Sequence, residues 1–128
     1  MMKLEDLRVY MSSMELGEEI WKIVHRWDFF AKDTIGKQLV RAADSIASNL
    51  SEGFGRFHFK DTKNFGYYSR GSLFETKTWL TKAHSRNLIP DVEFEHLVSI
   101  INEIGIKLNK YLNTIGNDAR SANDAAGK

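Results

Sequence analysis

Apolar residues recur every three or four positions along most of the chain, which is the spacing of amphipathic helices. Nowhere do β-branched residues alternate with polar ones over the length of a strand. The spacing predicts four helices joined by short connections near residues 28–33, 55–60 and 86–91. The positions expected to face the core are, from the first helix to the fourth, Leu4, Leu7, Met11, Met14, Trp21, Val24 and Trp27; Ile35, Leu39, Ala42, Ile46, Leu50 and Phe54; Phe65, Tyr68, Leu73, Trp79, Leu80 and Ala83; and Phe94, Leu97, Ile101, Ile104, Leu108, Tyr111 and Ile115.

Helices joined by short connections pack beside their neighbours in antiparallel order. We therefore predict an all-α fold, an antiparallel up-down-up-down four-helix bundle over residues 1–116. The second helix is expected to begin after Asp33 or Thr34, either of which can cap its N-terminus. Gly53 and Gly55 are expected to end that helix in a left-handed conformation.

Charge adds to this picture because it is unevenly distributed. The chain has 128 residues, of which 18 are basic and 17 acidic, so the net charge is only +1. Residues 32–86 nevertheless carry a net charge of +5, whereas residues 1–31 and 87–116 carry −2 each. Such asymmetry suits either an anionic partner or complementary surfaces in self-association. Residues 117–128 are polar, small and aperiodic, and they are predicted to form a disordered tail.

Cysteine content and hydropathy bear on the compartment. The sequence has no cysteine, which excludes disulfides and thiolate metal sites and fits a reducing environment. The N-terminal stretch MMKLEDLRVY lacks the apolar region of a signal peptide, and no apolar run approaches membrane-spanning length. We therefore expect a cytoplasmic protein without membrane contact.

Two short motifs resemble known sites but lack residues that those sites need. EGFGRFHF has the glycines and rings of an RNA-binding octapeptide, but Glu52 and Arg56 replace its basic and aromatic positions. Glu93 and His96 have the spacing of a di-iron ligand pair, but no second such pair exists. No nucleophile elbow, phosphate-binding loop or Ser/His/Asp spacing stands out. We expect no enzyme, cofactor or metal site; a catalytic site assembled at a subunit junction is the least favoured alternative.

Basic and aromatic residues alternate in the stretch GFGRFHFKDTKNFGYYSRG. Lysines and arginines neutralise phosphates, and exposed rings stack on unpaired bases. The rings that the core pattern explains least are Phe57, Phe59 and Tyr67. We predict that this segment contacts nucleic acid through Arg56, His58, Lys60, Lys63 and Arg70.

The second predicted helix also carries a polar stripe, whose members lie three or four residues apart and therefore share one face. They are Arg41, Ser45, Asn49, Glu52 and Arg56. Three environments fit such a face: water, a buried polar seam or a partner. Counting outward from the turn places Arg41 level with Glu75 on the third helix, which makes an ion pair geometrically reasonable. We predict a structural polar network of Arg41, Asn49, Glu52 and Glu75.

The stretch QLVRAADSIASNLSEG followed by GSLFE resembles the signature of the 23S rRNA-intervening sequence proteins. This four-helix bundle family includes the accessory variability protein of diversity-generating retroelements. The resemblance covers residues 4–116, and the matching positions are Gln38, Arg41, Ala42, Ala43, Ser45, Asn49, Glu52, Gly53, Gly71, Ser72, Leu73 and Glu75. In two respects the chain departs from the pattern: Ala47 stands where the family often has proline, and the retroelement relative is far more basic.

The resemblance implies a left-handed antiparallel bundle that assembles into a ring, commonly a pentamer. It also implies nucleic-acid binding through a basic surface and a nucleic-acid-processing partner, since the retroelement relative works beside a reverse transcriptase. The leading interpretation is a non-enzymatic homo-oligomer that binds RNA or DNA through the basic middle segment. The alternative is a protein–protein interaction adaptor without nucleic-acid affinity. Both predict a mass in solution several-fold above the 14.7 kDa of one chain.

Overall fold

The computed structural model describes residues 2–126, with side chains described for residues 2–115. Within that range the chain forms four long α-helices and no strand, which confirms the all-α prediction. A short 3₁₀ turn, Leu4–Asp6, precedes the first of them. The helices are α1 (Arg8–His25), α2 (Lys37–Phe54), α3 (Phe59–Ser85) and α4 (Asp91–Ala126).

The helices pack around a square in the order in which they follow one another. α1 contacts α2, α2 contacts α3, α3 contacts α4, and α4 returns to contact α1. The turns Phe29–Ala31 and Lys32–Gly36 continue directly into α2, so only three to five residues separate each helical segment from the next, and successive helices run antiparallel. The molecule is therefore the predicted up-down-up-down bundle. In this order the α1–α2 side and the α3–α4 side form opposite faces.

The core positions predicted for the second and fourth helices are confirmed except Phe54, which is half-buried outside the core cluster. Those helices carry one continuous apolar stripe each. Burying each large aliphatic side chain contributes about 1.5–3 kcal/mol relative to leaving it in water. The fully buried members of the two stripes include Leu39, Ile46, Leu50, Leu97, Ile104 and Leu108.

The core face predicted for α1 is right at its ends, where Leu7 and Val24 are buried and Trp27 packs against the core, but wrong in between. Met11, Met14 and Trp21 are 41%, 44% and 57% exposed, and the side that turns inward carries Val9, Leu16, Ile20 and Ile23. α1 has apolar residues on two faces, and periodicity alone does not decide which one meets the core. On α3, Tyr68 is likewise 57% exposed rather than buried.

The start of the second helix also differs from the prediction. Asp28 is the N-cap: its Oδ1 accepts a hydrogen bond from the Ala31 amide at 2.9 Å. One α turn after this cap leads into a π turn, Lys32–Gly36, which continues into α2 without a break. Asp33 and Thr34 therefore lie inside a continuous helical segment and do not cap it.

The glycines at the end of α2 act through packing rather than through backbone freedom. No glycine among residues 2–126 has a positive φ, and Gly55 ends the helix at φ −80°. Gly53 is buried at a close approach of α2 and α3: a Cβ there would lie 2.8 Å from the Cβ of Phe65. The expected left-handed conformation is instead found at Asn87, φ 61°, just after α3.

Few polar contacts cross between helices inside the bundle. The buried Oγ of Ser69 donates to the Ile46 carbonyl at 2.7 Å, joining α3 to α2. At the surface, Arg26 and Glu93 join α1 to α4 through an ion pair of 3.0 Å. Exposed pairs of this kind contribute about 1 kcal/mol or less. The bundle is therefore held mainly by its apolar core.

The end of the chain is only partly described. α4 continues to Ala126, Gly127 and Lys128 lie outside the described residues, and so do the side chains from residue 116 onward. The disordered tail at residues 117–128 stays a prediction. Within residues 2–126, no helix combines the length and the apolar character that a bilayer span requires.

Candidate nucleic-acid interface

The first half of α3 carries cations along one exposed face. Lys60, Lys63 and Arg70 follow one another at intervals of three and seven residues, so they share a face with Tyr67 between them. We call these three cations the basic row. Lys60 and Arg70 are exposed and Lys63 is half-buried. None of the three forms an ion pair with another described side chain.

The connection before α3 and the first residue of α3 present aromatic rings to solvent. Phe57 is 93% exposed and Phe59 52%. The ring of Phe57 meets that of His58 edge-on, with centroids 5.2 Å apart. Farther along α3, the Arg70 guanidinium lies 5.2 Å from the centroid of the Tyr67 ring. Exposed rings beside cations provide stacking surfaces next to phosphate contacts.

Arg56, the first predicted contact residue, is held by its own helix end. Its Nη2 donates to Oε1 of Glu52 at 2.6 Å, and its guanidinium lies 4.9 Å from the centroid of the Phe65 ring. The carboxylate offsets the charge of Arg56. The positive charge of this end of the bundle therefore comes from the basic row, with His58 at the N-cap of α3 beside it.

The predicted polar network is not assembled within one chain. Asn49 donates to a carbonyl of its own helix at 2.9 Å, and Glu75 accepts from the Trp79 indole at 3.2 Å. Arg41 lies on the side of α2 that faces α1, so the predicted Arg41–Glu75 ion pair is wrong within the chain. Counting residues from the turn gives a height along the bundle but not the direction around each helix. Glu52 pairs with Arg56 instead.

Sequence reasoning missed a groove of about 410 Å³ between the end of α1 and the helical segment that begins at Asp28. Its apolar lining comes from Trp21, Val24, Gly36 and Val40. Its basic lining comes from His25, Lys32, Lys37 and Arg41. We call this the Trp21 groove. The signal for this groove in the sequence was the apolar face of α1 that carries Met14 and Trp21, which was assigned to the core.

A second groove lies farther down the same face of the bundle, and we call it the Met14 groove. Met14, Glu18 and Asp44 are among the residues that line it. Burial raises the pKa of Asp44, and the nearby charge of Glu18 raises it further. Among the described residues, no group of three or more metal-ligating side chains is close enough together to hold a metal ion.

On the opposite face, between α3 and α4, lies a third groove, the Phe74 groove. Phe74 and Ile106 are 67% and 60% exposed, and Lys77 also lines the groove. Apart from its chain neighbours and the backbone of its own helix, nothing lies within 4 Å of the place where a Cβ would stand on the neighbouring Gly71. Large apolar side chains left this exposed on opposite faces mark candidate contact surfaces.

The comparison with known families bears on the whole bundle. Residues 5–110 match the 23S rRNA-intervening sequence protein family. The chain belongs to this family. The match spans all of the signature residues from Gln38 to Glu75 and confirms the resemblance. No curated protein matches the chain.

A solved structure supports the same fold. The chain is similar to a protein of unknown function from the S23 ribosomal protein family of Bacteroides thetaiotaomicron, with a TM-score of 0.73 and 21% identity. The alignment covers 81% of this chain and 97% of that one. At that identity the likeness shows the four-helix fold alone.

Proposed function

We propose that this protein is a non-enzymatic, homo-oligomeric bundle that binds RNA or DNA through the basic row and the rings beside it. The observation that carries the proposal is the alignment of Lys60, Lys63 and Arg70 on one face of α3 without carboxylate partners among the described side chains. A cation that is not neutralised within the protein is available to a phosphate. Tyr67 within the row and Phe57 before it supply rings for bases.

The first experiment measures the fluorescence anisotropy of labelled single-stranded RNA and duplex DNA at two salt concentrations. We expect binding that weakens steeply with salt. A plot of log affinity against log salt has a negative slope. Changing Lys60, Lys63 and Arg70 together to glutamine should make this slope shallower by roughly 2–3 for duplex DNA, because each phosphate contact contributes about 0.9. No binding of either probe at low salt would contradict the proposal.

A matched control removes three positive charges from the opposite end of the bundle. Lys22, Lys82 and Arg86 are exposed and lie near the ends of α1 and α3. Changing these three to glutamine alters the net charge by the same amount as the basic-row variant. We expect the control to keep the salt slope of the unaltered protein. Equal losses in the two variants would indicate a net-charge effect rather than a site.

The rings are tested separately from the cations. Phe57 is 93% exposed, so Phe57→Ala should leave the folded state intact. Stacking of one base on an aromatic ring contributes about 1–3 kcal/mol. We therefore expect roughly tenfold weaker binding of single-stranded RNA, with little change for duplex DNA, whose bases are already stacked. Equal losses for both probes would exclude base stacking at Phe57.

We also propose that the protein assembles with copies of itself, as the family resemblance implies, into a pentameric ring. Two properties of the grooves support this. The Met14 groove and the Phe74 groove lie on opposite faces, and the carboxylates of Glu18 and Asp44 complement the charge of Lys77. Contact between two different faces builds a ring when the rotation closes. Sedimentation equilibrium should give about five times 14.7 kDa.

The alternative function is a protein–protein interaction adaptor, and one observation favours it. Phe29 and Phe30, in the turn before the π turn, are 79% and 77% exposed. Adjacent exposed phenylalanines far from the basic row suit an apolar protein partner better than a phosphate backbone. Such a partner, including a nucleic-acid-processing protein, would bind this end of the bundle. Absence of nucleic-acid binding at low salt would favour the adaptor.

A further inference from the structure

The exposed rings of α1 form an aromatic wall on one side of the Trp21 groove. Trp21 and His25 are one helical turn apart, and their rings lie nearly parallel, with centroids 6.4 Å apart and planes at 15°. Trp21 is 57% exposed although it belongs to the most apolar residue types. An exposed aromatic face stacks well with a planar ring.

The opposite wall is basic because of the π turn. A π turn holds one residue more than an α turn, and the Lys37 amide bonds to the carbonyl of Lys32, five residues earlier. Lys37 therefore lies one turn above Lys32 on the same face of the segment. Arg41 follows one α turn later, and all three cations line the groove. Asp33 pairs with Lys37 at 2.7 Å. Lys32 and Arg41 form no ion pair with any other described side chain.

The floor of the groove is closed by a tight contact between the two helical segments. A Cβ at Gly36 would stand 2.8 Å from Cγ1 of Val24 and 3.0 Å from the carbonyl oxygen of Ala31. Glycine therefore lets the backbone rest directly on Val24. The resulting volume of about 410 Å³ lies within the range of roughly 300–1,000 Å³ that small-molecule sites occupy.

From these two walls and the floor we propose that the Trp21 groove binds a small organic anion built on a planar aromatic ring. The ring stacks on Trp21 and His25, and Val24 and Val40 enclose its edges. The anionic group, a phosphate or a carboxylate, meets the guanidinium of Arg41 and the ammonium of Lys32. Guanidinium groups bind such anions through paired hydrogen bonds, which fixes the orientation of the ligand. This site lies apart from the basic row and does not depend on nucleic-acid binding there.

The test uses 1-naphthyl phosphate as the probe and the full chain labelled with ¹⁵N. The chain has three tryptophans, so its spectrum contains three indole N–H signals, and the Trp21→Phe variant identifies the signal of Trp21. We expect the probe to shift that signal with saturation, at a dissociation constant on the order of hundreds of micromolar. Inorganic phosphate lacks the ring and 1-naphthol lacks the charge, so each should bind at least about tenfold more weakly.

Variants of the wall separate a site from adventitious binding. Arg41→Gln should weaken binding of 1-naphthyl phosphate by about tenfold, since a charge-assisted bidentate contact is lost. Lys32→Gln should weaken it several-fold. The matched control, Arg8→Gln, removes an exposed arginine at the start of α1, outside both the groove and the basic row, and should bind as the unaltered protein does. Circular dichroism should show the same helix content for all three, because each altered side chain is exposed or half-buried at the surface.

Four results would overturn the proposal: no shift of the Trp21 signal, larger shifts at Trp27 or Trp79, equal affinity for 1-naphthol, or unchanged affinity in Arg41→Gln. The triple glutamine variant of the basic row separates failure of this proposal from failure of the proposed nucleic-acid binding. It should lose nucleic-acid binding while it keeps its affinity for 1-naphthyl phosphate.

Discussion

Two glycines in different surroundings show how much of the packing depends on single positions. A Cβ at Gly53 would lie 2.8 Å from the Cβ of Phe65 and 3.0 Å from the Thr62 carbonyl oxygen, so α2 and α3 would have to separate. Gly53→Ala should lower the free energy of unfolding by about 1–3 kcal/mol. At Gly71 a Cβ would meet nothing within 4 Å beyond its chain neighbours and its own helix backbone, so Gly71→Ala should raise that free energy by about 0.5–1 kcal/mol. Urea unfolding checks both, and shifts of the same sign would contradict the packing.

The requirement at Gly53 was not predictable from its neighbours in the sequence. Glycines at the end of a helical pattern usually indicate a left-handed cap, and that was the expectation for Gly53 and Gly55. The structure uses Gly53 for close approach of α3, which is a tertiary contact. A local pattern contains no information on how near the next helix comes.

Asp44 gives a pH dependence with a definite sign. Burial, followed by the charge of Glu18, raises the pKa of this carboxyl above its usual 3.8, so its ionised form is disfavoured in the folded state. The resulting loss of stability is fully present above the raised pKa and disappears as the pH falls towards 3.8. Asp44→Asn should therefore stabilise the protein at pH 7, and the gain should vanish near pH 3.8.

Urea unfolding of both proteins across this pH range checks the sign for Asp44. Glu18→Gln removes only the smaller of the two causes, so its gain at neutral pH should be smaller. A stabilisation by Asp44→Asn that persists below the normal pKa would show that another effect, such as altered packing, is responsible.

At the scale of elements, the structure and the sequence prediction differ in which residue caps the helical segment that leads into α2. Asp28 accepts a hydrogen bond from the Ala31 amide, so Asp28→Ala should lower the free energy of unfolding by about 0.5–2 kcal/mol. Asp33, which the sequence suggested as a cap, forms only an exposed pair with Lys37. Asp33→Ala should cost about 0.3–0.5 kcal/mol. A larger loss for Asp33→Ala would restore the helix start expected from sequence.

Element prediction succeeded or failed according to the number of apolar faces that a helix carries. α4 has one, and its stripe from Phe94 to Ile115 gave the buried side correctly. α1 has two, and the one assigned to the core, with Met14 and Trp21, is exposed. The π turn was also missed, because the buried residues before, within and after it, Ala31, Ile35 and Leu39, keep the four-residue spacing of a regular helix. As a result, the sequence did not predict that Lys32 and Arg41 line the same groove.

At the scale of the whole molecule, the chain order of the helices makes the α1–α2 and α3–α4 sides opposite faces. The sequence alone gave this topology, since short connections permit little else. The position of each side chain around its helix could not be predicted in this way. Arg41 and Glu75 have matching heights along the bundle, but they lie on different sides of it and form no pair within the chain. The basic row was predictable, because its members lie on one exposed face of one helix.

Assembly through two different faces makes a prediction that separates it from a two-fold contact. Met14→Glu and Phe74→Glu each place a carboxylate in one of the two exposed grooves, and each variant alone should be monomeric. Mixed together, the intact Met14 groove of one variant meets the intact Phe74 groove of the other. The mixture should therefore form dimers of about twice 14.7 kDa, seen by sedimentation. Val92→Glu, at a position that is 81% exposed and outside both grooves, should assemble like the unaltered protein. If the contact joined two copies of the same face, only one variant would lose assembly and mixing would restore nothing.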